Sequence, residues 1–463
     1  MGAGKTTLGG HLADALGRPF LDLDREVEKL MGVPIRQAFA ASGETAFRLT
    51  EARETVTALR DRRPAVLALG GGAVGSADVR RALAEHALTF WLDVDVDEAW
   101  RRTRGSGRPL AQDELAFRAL YRKRRPLYET ASDVRAGDLD GLVLAAAAVH
   151  VEAGALKTLD RLLPGSGEVA LVSDEQVDTI YGAAARSALG PRLHSTHRVP
   201  AGERAKTLAT CGRLWDELSL ERAGALVALG GGCTTDAAGF VAGTYLRGIA
   251  WVAVPTTLVG QVDAAIGGKT AINLDAGKNL VGAFHWPAGT VIDPALLETL
   301  PAAERRQGMS EVVKTGLLAG APLWELPDTE LVRRAAAYKA AVCLRDPLES
   351  GERAFLNLGH TFAHALETAS GHSVRHGDAV ALGLLAALRL SNLKEEAGTV
   401  EEVLRPTPVQ ADREAAWAAL KRDKKARGGR IGLVLLDAPG KPRIDHDVPE
   451  RAIRRALDEL IAG

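Results

Sequence analysis

Three histidines and one glutamate in the second half of the chain have residue types and a spacing that could bind a metal. Glu311 lies in MSEVVKTG and His376 lies in VRHG. His360 and His364 share LGHTFAHALE, and their separation of one helical turn predicts that both rings project from one helix face. Two imidazoles, one carboxylate and an open position suit a catalytic divalent cation. The candidates allow three ligands and one histidine for proton transfer, and spacing alone leaves open which histidine stays unbound.

The alternative is that these histidines are solvated or cap the core. For a single histidine this would be the better interpretation. It fits the cluster less well, because GHTFAHALE combines an amphipathic helix with titratable groups on its buried side. The pattern therefore favours a metal site.

The composition narrows the range of partners. The chain has 463 residues, of which 46% are hydrophobic and 25% charged, and its net charge is −1. This balance gives no reason to expect binding to nucleic acid or to a membrane. Cys211, Cys233 and Cys343 are odd in number and lack CxxC spacing, which indicates a reducing compartment. Since neither a signal peptide nor a membrane-spanning apolar run is visible, we expect a cytoplasmic protein.

The chain opens with a candidate phosphate-binding loop, MGAGKTTLGG, which runs directly into a predicted helix. Its backbone N–H groups would bind phosphates, Lys5 would reach the terminal phosphates, and the Thr6 hydroxyl would bind Mg²⁺. The first glycine of the full motif and the strand before it are not in this sequence. We therefore expect either a start site placed too late or an impaired nucleotide site, and we favour the misplaced start.

Polar groups follow this loop in an order that fits phosphate transfer. LDLD predicts a short strand with Asp22 and Asp24 on the same side, suited to Mg²⁺ and to substrate hydroxyls respectively. Arg48 and Glu51 lie one helical turn apart in GETAFRLTE. Further ligand-binding segments are predicted in VLALGGG (66–72), a buried strand that ends in a glycine loop, and in the cationic strings RPL (108–110) and KRRPLY (123–128).

The second half of the chain combines a nucleotide-type loop with a polar cleft. GALVALGGGCTTDAAGF (224–240) predicts a strand, a triple glycine and a helix start, which outline a dinucleotide pyrophosphate site without the GxGxxG fingerprint. From about residue 297 the periodicity is helical. Between these segments, polar groups amid glycines and apolar strands predict a cleft for a polyanionic, polyhydroxylated small molecule: Arg247, Asp263, Lys269, Lys278 and Asn279.

Residues 1–145 resemble the shikimate kinase family, through GAGKTT, LDLD, GETAFRLTE, VLALGGG, RPL and KRRPLY in this order. The resemblance implies transfer of the γ-phosphoryl group of ATP to a shikimate hydroxyl, mainly by positioning and charge neutralisation. Because the family's first strand is central to its parallel sheet, we expect two neighbouring strands here to lack a partner. ATP and Mg²⁺ would contact Gly2, Gly4, Lys5, Thr6, Thr7, Asp22 and the lid arginine Arg108, and shikimate would contact Asp24, Arg48, Gly71 and Arg124.

Residues 148–463 resemble the 3-dehydroquinate synthase family. This family converts 3-deoxy-D-arabino-heptulosonate 7-phosphate to 3-dehydroquinate and phosphate, with transient use of NAD and a divalent metal, zinc or cobalt. The strings that match are AGERAKTL, ALGGGCTTDAAGF, LRG, PTTL, QVDAAIGGKTAIN, GKNLVGAF, EVVKTG, ERAFLNLGHTFAHALE, RHGDAV and RDKK.

Together the resemblances imply an α/β protein with three domains. They are a P-loop kinase-type parallel-sheet domain that lacks its first strand (1–145), a Rossmann-like NAD-binding α/β domain (148–296) and a C-terminal α-helical metal-binding domain (297–463). Both families act on the route to aromatic amino acids, so we expect a bifunctional enzyme whose partners are a sugar phosphate, shikimate and ATP.

The synthase resemblance also implies roles for individual residues. Metal ligands would be Glu311, His360 and His376, which leaves His364 for proton transfer. Arg247 would reach across a dimer interface to the substrate phosphate, which implies a homodimer through this half. Catalytic groups would be Asp263, Lys269, Lys314 and Arg353, and further substrate contacts would come from Lys278, Asn279, Lys339, Asn357 and Lys424. NAD would contact Asp174, Glu203, Lys206, Gly231, Gly232, Asp236, Thr256, Thr257 and Thr299.

Two other hypotheses remain open at this point. The same scaffold could serve a sugar-phosphate cyclase of secondary metabolism or a metal-dependent polyol dehydrogenase. The N-terminal half could be a non-catalytic nucleotide-binding module. The segment between Lys314 and Lys339 is also shorter than the usual family pattern, although we expect the metal and NAD sites to be unaffected.

Overall fold

Strands and helices alternate along the chain in this computed structural model, which describes residues 2–105, 112–371, 373–426 and 430–462. The chain separates into two compact units between Ala146 and Ala147. The predicted division of the second unit into an NAD-binding domain (148–296) and a helical domain (297–463) stays a prediction. Among the described residues, no helix combines the length and the apolarity needed to cross a bilayer.

Short strands between helices make up the first unit. Its elements are α1 (Lys5–Leu16), β1 (Phe20–Asp22), α2 (Leu23–Met31), α3 (Ile35–Arg60), β2 (Val66–Ala68), α4 (Ala77–His86), β3 (Phe90–Trp91), α5 (Val96–Thr103), α6 (Glu114–Ala131), β4 (Val134–Arg135) and α7 (Leu139–Ala146).

The sheet of the first unit is divided into two separate pairs in the described part of the chain. β1 pairs in parallel with β2, and β3 pairs in parallel with β4. A largely apolar cavity of about 170 Å³ is lined by both β2 and β3. Parallel sheets are normally continuous and covered on both faces. In the described part of the chain, β2 and β3 therefore each have one edge without a strand partner, as the sequence predicts.

Two local predictions in this unit are wrong. Asp24 does not continue the strand with Asp22, because the strand ends at Asp22, whose carboxylate accepts a hydrogen bond from the Asp24 N–H at 3.2 Å and caps α2. β2 is not a buried strand throughout. Val66 and Leu67 are only half-buried, since one edge of β2 faces the cavity.

Parallel strands and long helices make up the second unit. Its strands are β5 (Val149–Val151), β6 (Val169–Asp174), β7 (Leu193–Val199), β8 (Ala225–Gly230), β9 (Ala250–Pro255), β10 (Lys269–Leu274), β11 (Gly277–Phe284), β12 (Gly289–Ile292), β13 (Leu433–Ala438) and β14 (Lys441–Asp445). Its helices are α8 (Leu159–Leu162), α9 (Glu175–Val177), α10 (Ala183–Leu189), α11 (Leu208–Glu217), α12 (Gly232–Thr244), α13 (Ala302–Ala319), α14 (Asp328–Arg345), α15 (His360–Ala369), α16 (His376–Leu390), α17 (Lys394–Leu404), α18 (Arg413–Ala426) and α19 (Glu450–Asp458).

The described strands of this unit include a six-stranded parallel sheet in the order β5-β12-β9-β8-β6-β7. β6 and β8 are buried along their whole length, because apolar clusters cover both faces of the sheet. The chain passes from β6 to β7 on one side and then returns to β8 on the other. The strand order thus reverses between β6 and β8, and ligands of open α/β sheets bind in such a crevice at the carboxyl ends of the strands.

The C-terminal part is mainly helical and packs around α16, which is buried at Gly377 and from Ala379 to Leu388. One element interrupts this pattern. β13 and β14 form an antiparallel hairpin that the helical periodicity did not predict. The alternating string LVLLDAPGKPRID contains the signal, since Gly440 supplies the left-handed residue of the turn at φ 79°.

The cavity of the first unit leads to a test of its sheet. Fusing a short strand of valine and isoleucine, with a glycine linker, ahead of Gly2 should raise the unfolding temperature of the first unit, because β2 and β3 would gain a backbone partner. Differential scanning calorimetry of the full chain would follow this transition, with the transition of the second unit as an internal reference.

A matched fusion with proline in the middle of the strand removes a ladder hydrogen bond and should stabilise far less. Equal stabilisation by both fusions would contradict the insertion of a strand into the cavity.

Candidate active sites

The side chains of Glu311, His360 and His376 come together where α13, α15 and α16 meet. One ligand atom from each lies within 4.8 Å of the other two. The Nε2 atoms of His360 and His376 lie 3.5 and 3.3 Å from Oε1 of Glu311. Glu311 is fully buried, and its carboxylate oxygens face these two imidazoles and the ammonium group of Lys314. A buried carboxylate beside two imidazoles fits a divalent cation of the zinc type.

A close helix contact positions the two histidine rings. Gly359 has a left-handed backbone (φ 79°), and a Cβ there would lie 2.8 Å from the backbone nitrogen of Leu384 in α16. Only glycine allows α15 to begin this close to α16. His360 and His376 are the first residues of these two helices, and their ring centroids are 5.4 Å apart. The ligand spacing therefore follows from where two helices begin.

Hydrogen bonds to the opposite ring nitrogens orient both imidazoles. Nδ1 of His360 lies 3.2 Å from the carbonyl oxygen of Leu358, and Nδ1 of His376 lies 3.2 Å from Oε1 of Glu367. In metal sites such partners direct Nε2 towards the cation. Sequence reasoning missed Glu367, although it follows His360 in the same string, HTFAHALE, and is buried.

The histidine of the cluster that lies outside this ligand set is His364. Its side chain is exposed, and its ring centroid is 5.6 Å from that of His360. It projects from the same helix one turn later, as the spacing predicts. This leaves its ring accessible to a substrate.

Buried lysines neutralise the carboxylates beside the ligand set. Lys314, one turn after Glu311, forms an ion pair with it and lies 3.9 Å from Asp263. Lys339 of α14 donates to the Asp263 carboxylate at 2.5 Å and to its backbone carbonyl at 2.7 Å. Burial would raise the pKa of Glu311, but Lys314 and the two histidines lower it well below its usual value. Burial would likewise raise the pKa of Asp263, but Lys339 and Lys314 lower it.

The pKa of His376 couples cation binding to proton release. Burial would lower this pKa, but Glu311 and Glu367 raise it to about 10. A ligand imidazole must be neutral, so a cation that binds His376 displaces its proton.

A second cationic group lies at the start of β10. Lys269 forms an ion pair with Glu349, and Oε1 of Glu349 accepts a hydrogen bond from Nδ2 of Asn357 at 3.2 Å. Burial would raise the pKa of Glu349, but Lys269 and Asn357 lower it. Sequence reasoning did not single out Glu349. This carboxylate bridges two residues that the synthase resemblance assigns to substrate binding.

Arg353 is almost completely buried on backbone carbonyls. Its guanidinium donates to the carbonyl oxygens of Pro347 at 2.8 Å and Gly267 at 2.9 Å, while its N–H donates to Asp346 at 3.0 Å. Carbonyl oxygens hold the guanidinium in place without forming an ion pair with it. The arginine is therefore a fixed positive group suited to an anion.

The glycine loop lies at the switch point of the sheet. Asp174 ends β6, Gly231 is the N-cap of α12, and Gly232 is the first residue of that helix. A Cβ at Gly231 would lie 3.0 Å from Thr257, and one at Gly232 would lie 3.0 Å from Ala264. The absence of side chains here lets a ligand approach the helix N-terminus, where backbone N–H groups bind pyrophosphate.

Several of the other predicted NAD contacts form hydrogen bonds and ion pairs with one another or with predicted substrate residues. Buried Lys206 lies 2.5 Å from Asp236 and also contacts Oδ1 of Asn279, while Lys278 lies 3.3 Å from Glu203. The structure thus joins residues from both the predicted NAD set and the predicted substrate set in one network. At its edges, the Thr256 N–H donates to the Gly230 carbonyl at 2.9 Å, and Oγ1 of Thr299 lies 2.7 Å from the Tyr181 hydroxyl.

Two predicted substrate residues lie apart from these groups. Arg247 is exposed and has a left-handed backbone at φ 65°. Lys424 belongs to α18, but its side chain lies outside what the structure describes. The role predicted for Arg247, in a neighbouring subunit, agrees with its exposed position and stays a prediction.

The first unit has a cleft of about 560 Å³ beside its P-loop. Thr6 Oγ1 donates to Asp22 at 2.7 Å, and Arg48 forms an ion pair with Glu51 at 2.6 Å. Arg108 lies outside the described residues. The cleft is lined by the other residues predicted to bind ATP, Mg²⁺ and shikimate, which are Gly2, Gly4, Lys5, Thr6, Thr7, Asp22, Asp24, Arg48, Gly71 and Arg124.

The second unit has the geometry of α/β enzymes that hold a nucleotide at the switch point of a sheet and a divalent cation beside it. Residues 196–307 match the family model for the N-terminal part of 3-dehydroquinate synthase, and residues 308–426 match that for its C-terminal part. Residues 1–144 match the family model for shikimate kinase.

Curated relatives agree with these matches. The chain is 40% identical over 347 residues to the 3-dehydroquinate synthase of Symbiobacterium thermophilum, an alignment that covers 67% of this chain and 97% of the relative. It is 41% identical over 323 residues to the 3-dehydroquinate synthase of Mycolicibacterium vanbaalenii, an alignment that covers 64% of this chain and 90% of the relative. The chain belongs to the 3-dehydroquinate synthase family and carries a shikimate kinase domain at its N-terminal end; it is a bifunctional enzyme of the shikimate pathway.

Solved structures share the fold of the second unit. The 2-epi-5-epi-valiolone synthase of Streptomyces hygroscopicus, with NAD⁺ and Zn²⁺ bound, is 27% identical with a TM-score of 0.62, covering 67% of this chain and 96% of the other. A 2-deoxy-scyllo-inosose synthase in complex with carbaglucose-6-phosphate, NAD⁺ and Co²⁺ is 26% identical with a TM-score of 0.61 and the same coverage. The predicted α/β fold class is confirmed.

The site geometry predicts which histidine can be removed without loss of a cation. His364→Ala should retain the wild-type content of bound Zn²⁺ or Co²⁺, whereas His360→Ala and His376→Ala should lose affinity, because the rings of His360 and His376 lie against Glu311. Elemental analysis after dialysis and titration with Co²⁺ would measure both. Loss of the cation in His364→Ala would overturn the assignment.

Proposed function

We propose that the second unit converts 3-deoxy-D-arabino-heptulosonate 7-phosphate to 3-dehydroquinate and phosphate, with NAD and one divalent cation, zinc or cobalt. The observation that carries this proposal is the buried Glu311 carboxylate, whose oxygens face His360 and His376 and pair with Lys314. Identity of 40% to a 3-dehydroquinate synthase, against 26–27% to the cyclases with other products, favours this substrate.

Glu311, His360 and His376 would hold the cation, and the crevice between β6 and β8 would hold NAD. When bound, the cation would polarise a ring hydroxyl and NAD would accept and later return its hydride. Lys314 and Lys339 keep Asp263 and Glu311 ionised, which fixes the charge pattern of the site before substrate enters. His364, exposed beside the ligand set, would carry protons to and from the substrate.

Lys269, Arg353 and Asn357 would bind the anionic groups and hydroxyls of the substrate. Glu349 already contacts Lys269 and Asn357 in this structure. An incoming carboxylate or phosphate would therefore replace Glu349 at these donors. Lys278, Asn279 and Lys424 would complete the contacts.

The first unit would phosphorylate shikimate with ATP and Mg²⁺. Lys5 and Thr6 would bind the phosphates and Mg²⁺ with Asp22, and Arg48 and Arg124 would hold shikimate. The gap between β2 and β3 is where a strand that leads into the P-loop would pair. We therefore expect the strand fusion described above to have higher kinase activity than the chain without the added strand.

A homodimer of the second unit is part of this proposal. Leu246 is exposed next to Arg247, and both have left-handed backbones. The β10–β11 hairpin exposes the apolar side chains Leu274, Leu280, Val281 and Phe284. Apolar patches of this kind mark interaction surfaces. A second copy that covers the hairpin would place Arg247 at the substrate phosphate of its partner.

The remaining partners are small molecules. A net charge of −1 gives no reason to expect nucleic-acid binding, and the described helices include none that could span a membrane. Cys211, Cys233 and Cys343 are free thiols in this structure. We infer a cytoplasmic location from this set of observations.

The reaction distinguishes the synthase from a dehydrogenase. With the heptulosonate phosphate, NAD⁺ and Co²⁺, the chain should release phosphate without accumulating NADH, since the hydride is returned within each turnover. His364→Ala should lower kcat by roughly 10²–10⁴-fold, the usual range for losing an acid–base group. A phosphate assay and NADH absorbance on the same sample would measure both. NADH accumulation without phosphate release would indicate a polyol dehydrogenase and reject the proposal.

A mixed dimer tests the role of Arg247. Arg247→Ala and Lys269→Met should each be nearly inactive alone. Co-expression of the two variants should restore about a quarter of wild-type activity, because half the dimers are mixed and each mixed dimer has one intact site. If Arg247 acted within its own subunit, co-expression would restore nothing.

A further inference from the structure

The N-terminus of α16 is capped by a side chain from another helix. The first N–H groups of a helix lack intrahelical partners and require acceptors. Arg375, at the N-cap position of α16, makes no side-chain cap hydrogen bond. Instead, Oε1 of Gln307 in α13 accepts a hydrogen bond from the Gly377 N–H at 2.6 Å. The residue directly after His376 is therefore tied to α13.

The two helix backbones touch at this point. A Cβ on Gly377 would lie 2.5 Å from both Cα and the carbonyl oxygen of Gln307, so no larger residue fits between the helices. Gln307 is itself buried, with 6% of its surface exposed. The crossing of α13 and α16 is thus fixed by one backbone contact and one buried hydrogen bond.

This crossing lies between two residues of the ligand set. Gln307 precedes Glu311 by one helical turn and shares its helix face. The hydrogen bond holds Gly377, whose chain neighbour is His376. Any shift of α16 along α13 would change the separation of 3.3 Å between Nε2 of His376 and Oε1 of Glu311.

We propose that Gln307 is a positioning residue that sets the distance between His376 and Glu311, and thereby the affinity and coordination geometry for a divalent cation. The inference rests on the proposed function, since it takes Glu311, His360 and His376 as the cation ligands. No motif in the sequence points to Gln307, because its role depends on the contact between two helices.

Two exposed ion pairs join the same helix segments and provide a matched control. Glu304 lies 3.5 Å from Arg375, and Arg306 lies 3.9 Å from Asp378. All four side chains are exposed to solvent to a large extent, and such pairs contribute little to stability. If every link between α13 and α16 mattered equally, removing the Glu304 carboxylate would have the same effect on cation binding as removing the acceptor oxygen of Gln307.

The test is Co²⁺ binding to the full chain. Isothermal titration calorimetry measures the affinity, and the visible absorption spectrum of the bound ion reports its coordination geometry. Gln307→Met keeps the length of the side chain but removes the acceptor. It should weaken Co²⁺ binding by roughly 10–100-fold, the range found for groups that orient metal ligands, and alter the spectrum. Gln307→Glu retains an acceptor oxygen and should restore binding to near the wild-type level. Glu304→Gln should bind Co²⁺ as the wild type does.

Binding of NAD⁺ and the unfolding temperature show whether each variant is folded. Gln307→Asn provides a second way to break the hydrogen bond, because its shorter side chain withdraws the amide oxygen from Gly377. It should lose affinity for Co²⁺ as Gln307→Met does. Wild-type affinity and spectrum in either folded variant would overturn the inference, as would equal losses in Gln307→Met and Gln307→Glu. Failure of the wild-type chain to bind Co²⁺ would instead overturn the proposed function.

Discussion

The second unit depends on one buried carboxylate. Glu311 is completely removed from water, in a place where an unpaired negative charge would be strongly destabilising. Lys314, His360 and His376 surround it, and Lys314 also approaches Asp263. A buried charge of this kind is tolerated only when its neighbours are held in place. The packing of α13, α15 and α16 follows from that requirement.

Small residues at helix starts meet this requirement. Gly359 lets α15 begin against α16, and Gly377 lets α16 begin against α13. At both positions a ligand histidine is the adjacent residue, so the two rings are delivered by backbone contacts rather than by flexible side chains. The nucleotide crevice follows the same principle, because Gly231 and Gly232 open the start of α12 at the switch point of the sheet.

The two units differ in how complete their sheets are. In the second unit, β6 and β8 are buried between neighbours on both sides and apolar clusters on both faces. In the first unit, β2 and β3 line a cavity instead of pairing through a common strand. Backbone groups at such edges must find water or another strand. The kinase cleft nevertheless keeps its predicted side chains together, because α1, α3 and α6 carry most of them.

The sequence by itself determined the families, the α/β class and the groups that carry the chemistry, because these depend on residue types at fixed spacings. His360 and His364 one turn apart, the triple glycine after an apolar strand, and GKTT before a helix are all local patterns. The tertiary structure decided which two histidines meet Glu311, since that depends on where α15 and α16 begin. It also revealed Glu367, Glu349 and Gln307, whose partners are distant in sequence, and it moved Asp24 from a strand into α2 through the cap formed by Asp22. Long-range contacts of this kind leave no periodic trace in the chain, and packing alone brings them together.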